Sequence, residues 1–296
     1  MTPGDAIVIG TFSRRMRLRL ADCREVDARI RGKRLKPVCG DRVAAQQLED
    51  EPEWLITSIR DRVNTLTRPN LRGGTEVLAA NVDLLVVVAA SPPDPDWFVV
   101  DRYLCAADDM GIPAAVAFNK SDLQDSAAPE LQDYAAIGYP TVRCSAQTGD
   151  GIDRLQVLVR DRTAIIVGQS GVGKSSLINR LAGEARLPVG DVSAHSGEGR
   201  HTTVNSTMLS LPGGGAVIDS PGVRDYAPAL ESQDLVIHGY RELEREGHDC
   251  RFANCRHLRE PGCAVKTAVA EGRISARRYE SYKRLLSLTT KLTTPS

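Results

Sequence analysis

The run Gly168-Gln169-Ser170-Gly171-Val172-Gly173-Lys174-Ser175 limits the fold more than any other stretch of the chain. It satisfies the pattern G-x-x-x-x-G-K-[ST], follows the apolar segment Ala164 to Val167 and precedes the helix-like SSLINRLAG. A glycine-rich turn between a strand and a helix lets backbone N–H groups close around phosphate oxygens at the helix N-terminus. In that arrangement Lys174 reaches the β and γ phosphates and the Ser175 hydroxyl binds Mg²⁺, while Gly168, Gly171, Val172, Gly173 and Ser176 line the cradle. Such a loop needs a sheet behind it. From Val82 onward, the unalternated apolar runs VDLLVVVAA, PAAVAFN, PTVRCSA, TAIIVG and GAVIDS alternate with helical segments. Strands buried on both faces read this way, so a doubly wound α/β domain is expected over residues 71–230.

Which nucleotide occupies the loop is suggested elsewhere. Asn119-Lys120-Ser121-Asp122 closes the run PAAVAF, at the strand end where open α/β sheets place ligands. A carboxylate at Asp122 can accept both N1–H and N2–H₂ of guanine, a pattern adenine lacks. Asn119 can bond N7 and brace the phosphate loop, and the aliphatic stem of Lys120 can cover one face of the base. Ser145 and Ala146 are small enough for a backbone N–H to approach guanine O6. Asp219-Ser220-Pro221-Gly222 ends AVIDSPG: Asp219 would hold Mg²⁺ through water, and the Gly222 N–H would sense the γ-phosphate. Between these two sites lies the polar, glycine-rich GDVSAHSGEGRHTTV, a candidate switch. Thr202 or Thr203 would complete the Mg²⁺ shell, and the sequence leaves the choice open.

At 296 residues the chain is too long for one core. Short β-like runs from Asp5 to Leu66, separated by Gly, Pro and charged turns, predict a small oligonucleotide-binding barrel (OB-fold) over residues 1–70. Its segment Arg14 to Lys36 holds ten basic residues against three acidic ones, a plausible footprint for a phosphate backbone. The net charge of zero hides this segregation. Pro69, Gly73 and Gly74 mark Arg68 to Glu76 as a linker. Residues 231–296 contain Cys250, Cys255, His257 and Cys263, four ligands within fourteen residues. Three thiolates and an imidazole make a closed tetrahedral shell for one structural Zn²⁺. A mostly helical zinc-binding domain follows, with a helix from Ile274 to Leu288 that shows Arg277, Arg278, Lys283 and Arg284 as a basic surface. Cys23, Cys39, Cys105 and Cys144 have no partner pattern and are read as buried small apolar residues. No apolar run approaches the roughly 20 residues of a membrane helix, and no signal peptide is evident. A cytoplasmic monomer without membrane contact is expected.

The order of the motifs is diagnostic, because the guanine-reading peptide precedes the phosphate loop. The nucleotide domain reads as circularly permuted, which a closed domain tolerates when its termini lie near each other. Here the sequence resembles the small-ribosomal-subunit-dependent GTPase family known as RsgA or YjeQ, through GDRV, LTRPN, AANVD, DRYL, NKSDL, GQSGVGKSSLIN, GRHTT, DSPG and CRFANCRH. The resemblance implies a barrel, a permuted GTPase domain and a zinc module. It also implies GTP hydrolysis to GDP, stimulated by the small subunit and its rRNA late in subunit assembly. Val204 stands where relatives often carry a third threonine. Val223 stands where many small GTPases have a water-positioning glutamine, and valine cannot orient water. His201 is the candidate catalytic residue in its place, beside Lys174. Three rivals remain: a large-subunit permuted GTPase, expected to lack the zinc module and to carry asparagine at position 171; a small-molecule kinase, with no use for N-K-S-D; and an RNA-binding zinc protein with a vestigial nucleotide site.

Overall fold

A computed structural model describes residues 4–12, 15–32, 34–48, 53–70, 74–123, 128–183, 206–219, 226, 228–230 and 232–293. The first strands are β1 (Gly4–Phe12), β2 (Arg15–Leu20), β3 (Glu25–Ile30), β4 (Arg42–Gln47) and β5 (Trp54–Ile59). They lie in the order β1-β2-β3-β5-β4, and β4 also pairs with β1, so the ladder closes into a five-stranded barrel. Alternation fixes its inside. Met16, Leu18 and Leu20 of β2 point into a core with Val8, Ala28, Val43 and Ile56, and the intervening arginines point out. Those arginines meet carboxylates: Arg17 on Asp27 (3.0 Å), Arg19 on Glu25 (3.2 Å), Arg24 on Asp22 (2.7 Å) and Arg29 on Glu53 (3.0 Å). The basic cluster is therefore laced with acid, and its field is weaker than its residue count suggests. Cys23 is exposed in a turn rather than buried, whereas Cys39, Cys105 and Cys144 are buried as expected.

The stretch read as a linker belongs to a hairpin. Strands β6 (Thr65–Pro69) and β7 (Thr75–Ala80) pair antiparallel, with an Arg68–Glu76 ion pair of 2.8 Å and Asn70 N–H on Gly74 O at 2.7 Å. Leu66 and Ala79 are buried in the central core, so Pro69 and Gly74 mark a turn rather than a tether.

The nucleotide unit follows as β8 (Leu84–Ala90), α1 (Trp97–Asp109), β9 (Ala114–Asn119), α2 (Glu130–Ala136), β10 (Thr141–Arg143), α3 (Ile152–Val159), β11 (Thr163–Gly168), α4 (Lys174–Ala182), β12 (Thr207–Ser210) and β13 (Ala216–Asp219). Their order is β10-β9-β8-β11-β13-β12, parallel except for β12. Double-sided burial explains the apolar runs. Leu85, Val87 and Ala89 of β8 pack with Val99, Tyr103 and Leu104 of α1, while Leu84, Val86, Val88 and Ala90 pack with Leu155, Leu177 and Ile178 on the opposite face. The chain enters at β8, winds outward to β10, returns to β11 beside β8 and winds the other way. Loops leaving β8 and β11 thus diverge and open a crevice at the strand ends. The barrel joins the far edge of this sheet. Gly10 pairs with Thr207, Ser206 O accepts from Thr11 N (3.1 Å) and from Cys39 Sγ (3.2 Å), and Ser206 N donates to Thr11 Oγ1 (3.2 Å).

The C-terminal unit comprises a 3₁₀ helix (Gln233–Gly239), α5 (Arg241–Gly247), α6 (Ala264–Ala270) and α7 (Ala276–Thr293). It seats on α1 so closely that a Cβ on Gly239 would lie 2.5 Å from Cα of Cys105. Two arginines expected at the surface are structural. Arg278, 1% exposed, forks onto both oxygens of buried Glu242 (2.7 and 3.0 Å) and donates to Asp101 Oδ1 (2.7 Å). Arg277 reaches Asp101 Oδ2 (3.1 Å), and Tyr134 OH completes the cluster on Oδ1 (2.7 Å). Burial opposes the Arg278 charge, but Asp101 and Glu242 hold its pKa well above the ordinary guanidinium value. No helix among the described residues is long and apolar enough to cross a membrane.

Candidate functional site

The crevice at the ends of β8, β9 and β11 is built from the peptides that carry the nucleotide motifs. Gly168 ends β11, and Lys174 opens α4 after the turn Gln169 to Gly173. Gly173 has φ +88°, and a Cβ there would stand 2.4 Å from Asn119 Nδ2, so only glycine allows the two motifs this approach. Asn119, 2% exposed, donates from Nδ2 to Val172 O (2.9 Å) and accepts the Ala146 N–H at Oδ1 (3.0 Å). A buried amide must satisfy both ends, and this one links three loops by doing so. Lys120 Nζ donates to Gly171 O and to Pro92 O, each at 2.8 Å.

Asp122 and Ser145 meet directly. Ser145 Oγ donates to Asp122 Oδ1 at 2.5 Å and accepts the Thr148 N–H at 3.0 Å. Both N–H groups expected near guanine O6 are engaged, that of Ser145 with Asp150 O (2.9 Å) and that of Ala146 with Asn119. A carbonyl oxygen arriving there would share the Ala146 N–H with the Asn119 amide.

On the phosphate side, Lys174 Nζ donates to Gly168 O (3.0 Å) and Gln169 O (2.9 Å). Burial lowers the pKa of this lysine, and the charge of Asp219 works against that shift. The same burial raises the pKa of Asp219 at the end of β13, with Lys174 opposing. The two charges therefore sense each other across the crevice floor. Ser175 and Ser176 lie in the first turn of α4, Ser175 half-buried and Ser176 exposed. A serine hydroxyl and a burial-strained carboxylate are hard oxygen donors suited to Mg²⁺. His201, Thr202, Thr203, Gly222 and Val223 lie outside the described residues. Sequence reasoning missed the loop after β8, where Pro92 O holds Lys120 and the Asp96 N–H meets Gln169 Oε1 (3.2 Å). Its signal was the turn-rich SPPDPD directly behind a buried strand.

The second site is the Cys/His cluster. Cys250, Cys255, His257 and Cys263 bring their ligand atoms within 4.8 Å of one another. His257 Nδ1 lies 3.5 Å from both Cys250 Sγ and Cys263 Sγ, and those two sulfurs are 3.9 Å apart. A tetrahedral ion with bonds of about 2.3 Å to sulfur and about 2.0 Å to nitrogen would set these separations near 3.8 and 3.5 Å. The donor set fits zinc. Burial lowers the His257 pKa, which favours the neutral, metal-binding imidazole.

Residues 59–228 match the model of the RsgA GTPase family. The small ribosomal subunit biogenesis GTPase RsgA of Histophilus somni is 39% identical over 258 residues, covering 84% of this chain and 74% of its own. The protein of that name from Pseudomonas fluorescens is 44% identical over 238 residues, covering 79% and 69%. Among solved structures, YjeQ from Thermotoga maritima superposes with a TM-score of 0.74 at 27% identity, covering 97% of this chain and 98% of its own. YloQ, a circularly permuted GTPase, gives a TM-score of 0.71 at 24% identity over 100% and 97%, a likeness of fold. With the family model over more than half its length and relatives well above 30% identity, the chain belongs to the RsgA GTPase family.

Proposed function

We propose that the protein hydrolyses GTP to GDP on the small ribosomal subunit and acts as a switch in the maturation of that subunit. The observation that carries this reading is the pair of bridges Asn119–Val172 and Lys120–Gly171, which put the guanine-reading peptide and the phosphate loop in one crevice. Asp122, oriented by Ser145, selects guanine; Asn119 braces base and phosphate loops; Lys120 covers the base. Backbone N–H groups from Gly168 to Ser176 cradle the phosphates, and Lys174 turns from its carbonyl partners toward the β and γ phosphates. Ser175 and Asp219, with Thr202 or Thr203, would hold Mg²⁺, an ion that would supply positive charge to offset the charge of the phosphates. Gly222 senses the γ-phosphate. His201 orients the attacking water when the small subunit is bound, so turnover by the free protein is slow.

In this reading residues 1–70 form an RNA-binding barrel, residues 71–230 the GTPase domain and residues 231–296 a zinc domain whose ion is structural. The barrel and zinc domain hold rRNA on either side of the nucleotide, and the protein works in the cytoplasm as a monomer. The test is GTP and ATP turnover with and without purified small subunits. Selective GTP hydrolysis that accelerates on adding small subunits, and collapses in Lys174→Ala, is expected. Equal use of ATP, or turnover indifferent to the subunit, would overturn the reading.

A further inference from the structure

A groove of about 550 Å³ lies between α1 and α7, on the seam between the nucleotide and C-terminal units. Phe98, in the first turn of α1, sits between two guanidiniums. The Arg102 Cζ is 4.7 Å and the Arg284 Cζ 4.1 Å from its ring centroid. Lys283 and Lys291 continue the positive line along α7, over about 12 Å of helix axis. Against these four cations the lining offers one acid, Glu280, and it is bound to Lys283 at 2.5 Å. Arg284 and Lys291 are exposed and make no ion pair among the described residues. On the barrel, by contrast, Arg17, Arg19, Arg24 and Arg29 are each matched by a carboxylate.

The groove is also preformed. Arg278, one turn of α7 before the groove's cations, is locked to Asp101 of α1 and Glu242 of α5, so the two walls cannot drift apart without breaking a buried cluster. A rigid basic surface binds an anionic polymer without the cost of ordering its own walls. We infer that this groove is an RNA contact. Arg284 and Lys291 neutralise successive phosphates of an unpaired strand, and the outer face of the Arg284 plane, already stacked on Phe98, takes a base. Phosphates repeating along a strand fit a line of cations on one helix face better than the irregular carboxylates of an acidic protein. The inference rests on the RNA-binding reading above and names a surface for it outside the barrel.

The experiment measures binding of the full-length protein to a labelled, unstructured single-stranded RNA across a salt series. Arg284→Gln/Lys291→Gln removes two phosphate contacts. At about 0.7 salt-slope units per contact, the log–log slope should shrink by about 1.4 and affinity at 0.1 M salt should fall about 25-fold relative to the 1 M reference. A matched pair on α3 and its C-cap, Arg154→Gln/Arg160→Gln, should bind as wild type does. Unchanged slope and affinity in the groove variant would overturn the inference, as would an equal loss in the α3 pair. So would intact RNA binding accompanied by lost binding to polyglutamate, which would mark the groove as a site for acidic protein. Wild-type protein that bound neither this RNA nor purified small subunits would instead break the functional reading, and the groove would fall with it.

Discussion

Arg278→Ala should destabilise the joint between the nucleotide and C-terminal units by about 3–5 kcal/mol, the cost of breaking a buried ion pair by removing one partner. The structure shows where that cost arises. Asp101 keeps Tyr134 OH and Arg277 Nη1 after the substitution, but Glu242 loses both of its guanidinium bonds. With its side chain only 4% exposed, Glu242 is left as an uncompensated buried carboxylate. The attraction of the pair is largely offset by its desolvation, so removing both members should cost much less than removing one. Arg278→Met/Glu242→Met should therefore regain about 2 kcal/mol or more relative to the sum of the single variants. Urea unfolding followed by tryptophan fluorescence reads this seam, because Trp97 lies beside it, 5.9 Å from the Arg277 guanidinium, and the other tryptophan, Trp54, is in the barrel. A loss below about 1 kcal/mol for Arg278→Ala, or strict additivity in the double variant, would refute the reasoning.

In the proposed site Asp122→Asn would remove a charged acceptor for two donors on guanine; at about 1.5–3 kcal/mol per bond, GTP affinity should fall at least 100-fold with ATP affinity unchanged, as read by nucleotide titration. Ser145→Ala should weaken GTP binding by a smaller factor, because it frees the Asp122 carboxylate without removing it. Burial raises the Asp219 pKa above the ordinary value of 3.8, so its charge is lost at higher pH than that of an exposed aspartate. The Mg²⁺ requirement of nucleotide binding should accordingly rise as pH falls through that raised value, and Asp219→Asn should show the weak-Mg²⁺ behaviour at every pH. A strong chelator should release about one zinc per chain and abolish the cooperative unfolding of the C-terminal unit while the barrel still unfolds cooperatively; retained C-terminal structure after complete metal removal would count against a folding role for the ion.

Much of this protein was legible because its elements are set by local patterning. The apolar runs VDLLVVVAA and TAIIVG could only be double-sided strands, and the spacing of Gly168, Gly173 and Lys174 defined the loop between strand and helix. The Cys/His cluster was equally plain, since three thiolates and an imidazole within fourteen residues have few other uses. What escaped the sequence was pairing at a distance. Arg277 and Arg278 look like solvated helix residues until α7 is laid on α1, where Asp101 and Glu242 draw them inside. Pro69 and Gly74 mark either a tether or a turn, and only the burial of Leu66 against Ala79 decides for the turn. The short strand β12 carries one long apolar residue on its buried side, too little periodicity to be noticed. The acids that temper the barrel's arginines were visible as residues, but their register across β2 and β3 was not.

The rotated chain order has a mechanical consequence. In this sheet β12 and β13 are the two strands on the far side of β11 from β8. The first is stitched to the barrel through Ser206, Thr11 and Cys39, and the second ends at Asp219, from which the polypeptide runs to the 3₁₀ helix at Gln233. The barrel is thus fastened to the sheet's last strand by hydrogen bonds, whereas the C-terminal unit is fastened to α1 by buried charge. A shift of β12 along the sheet would therefore be felt in the barrel and not at the Arg278 seam.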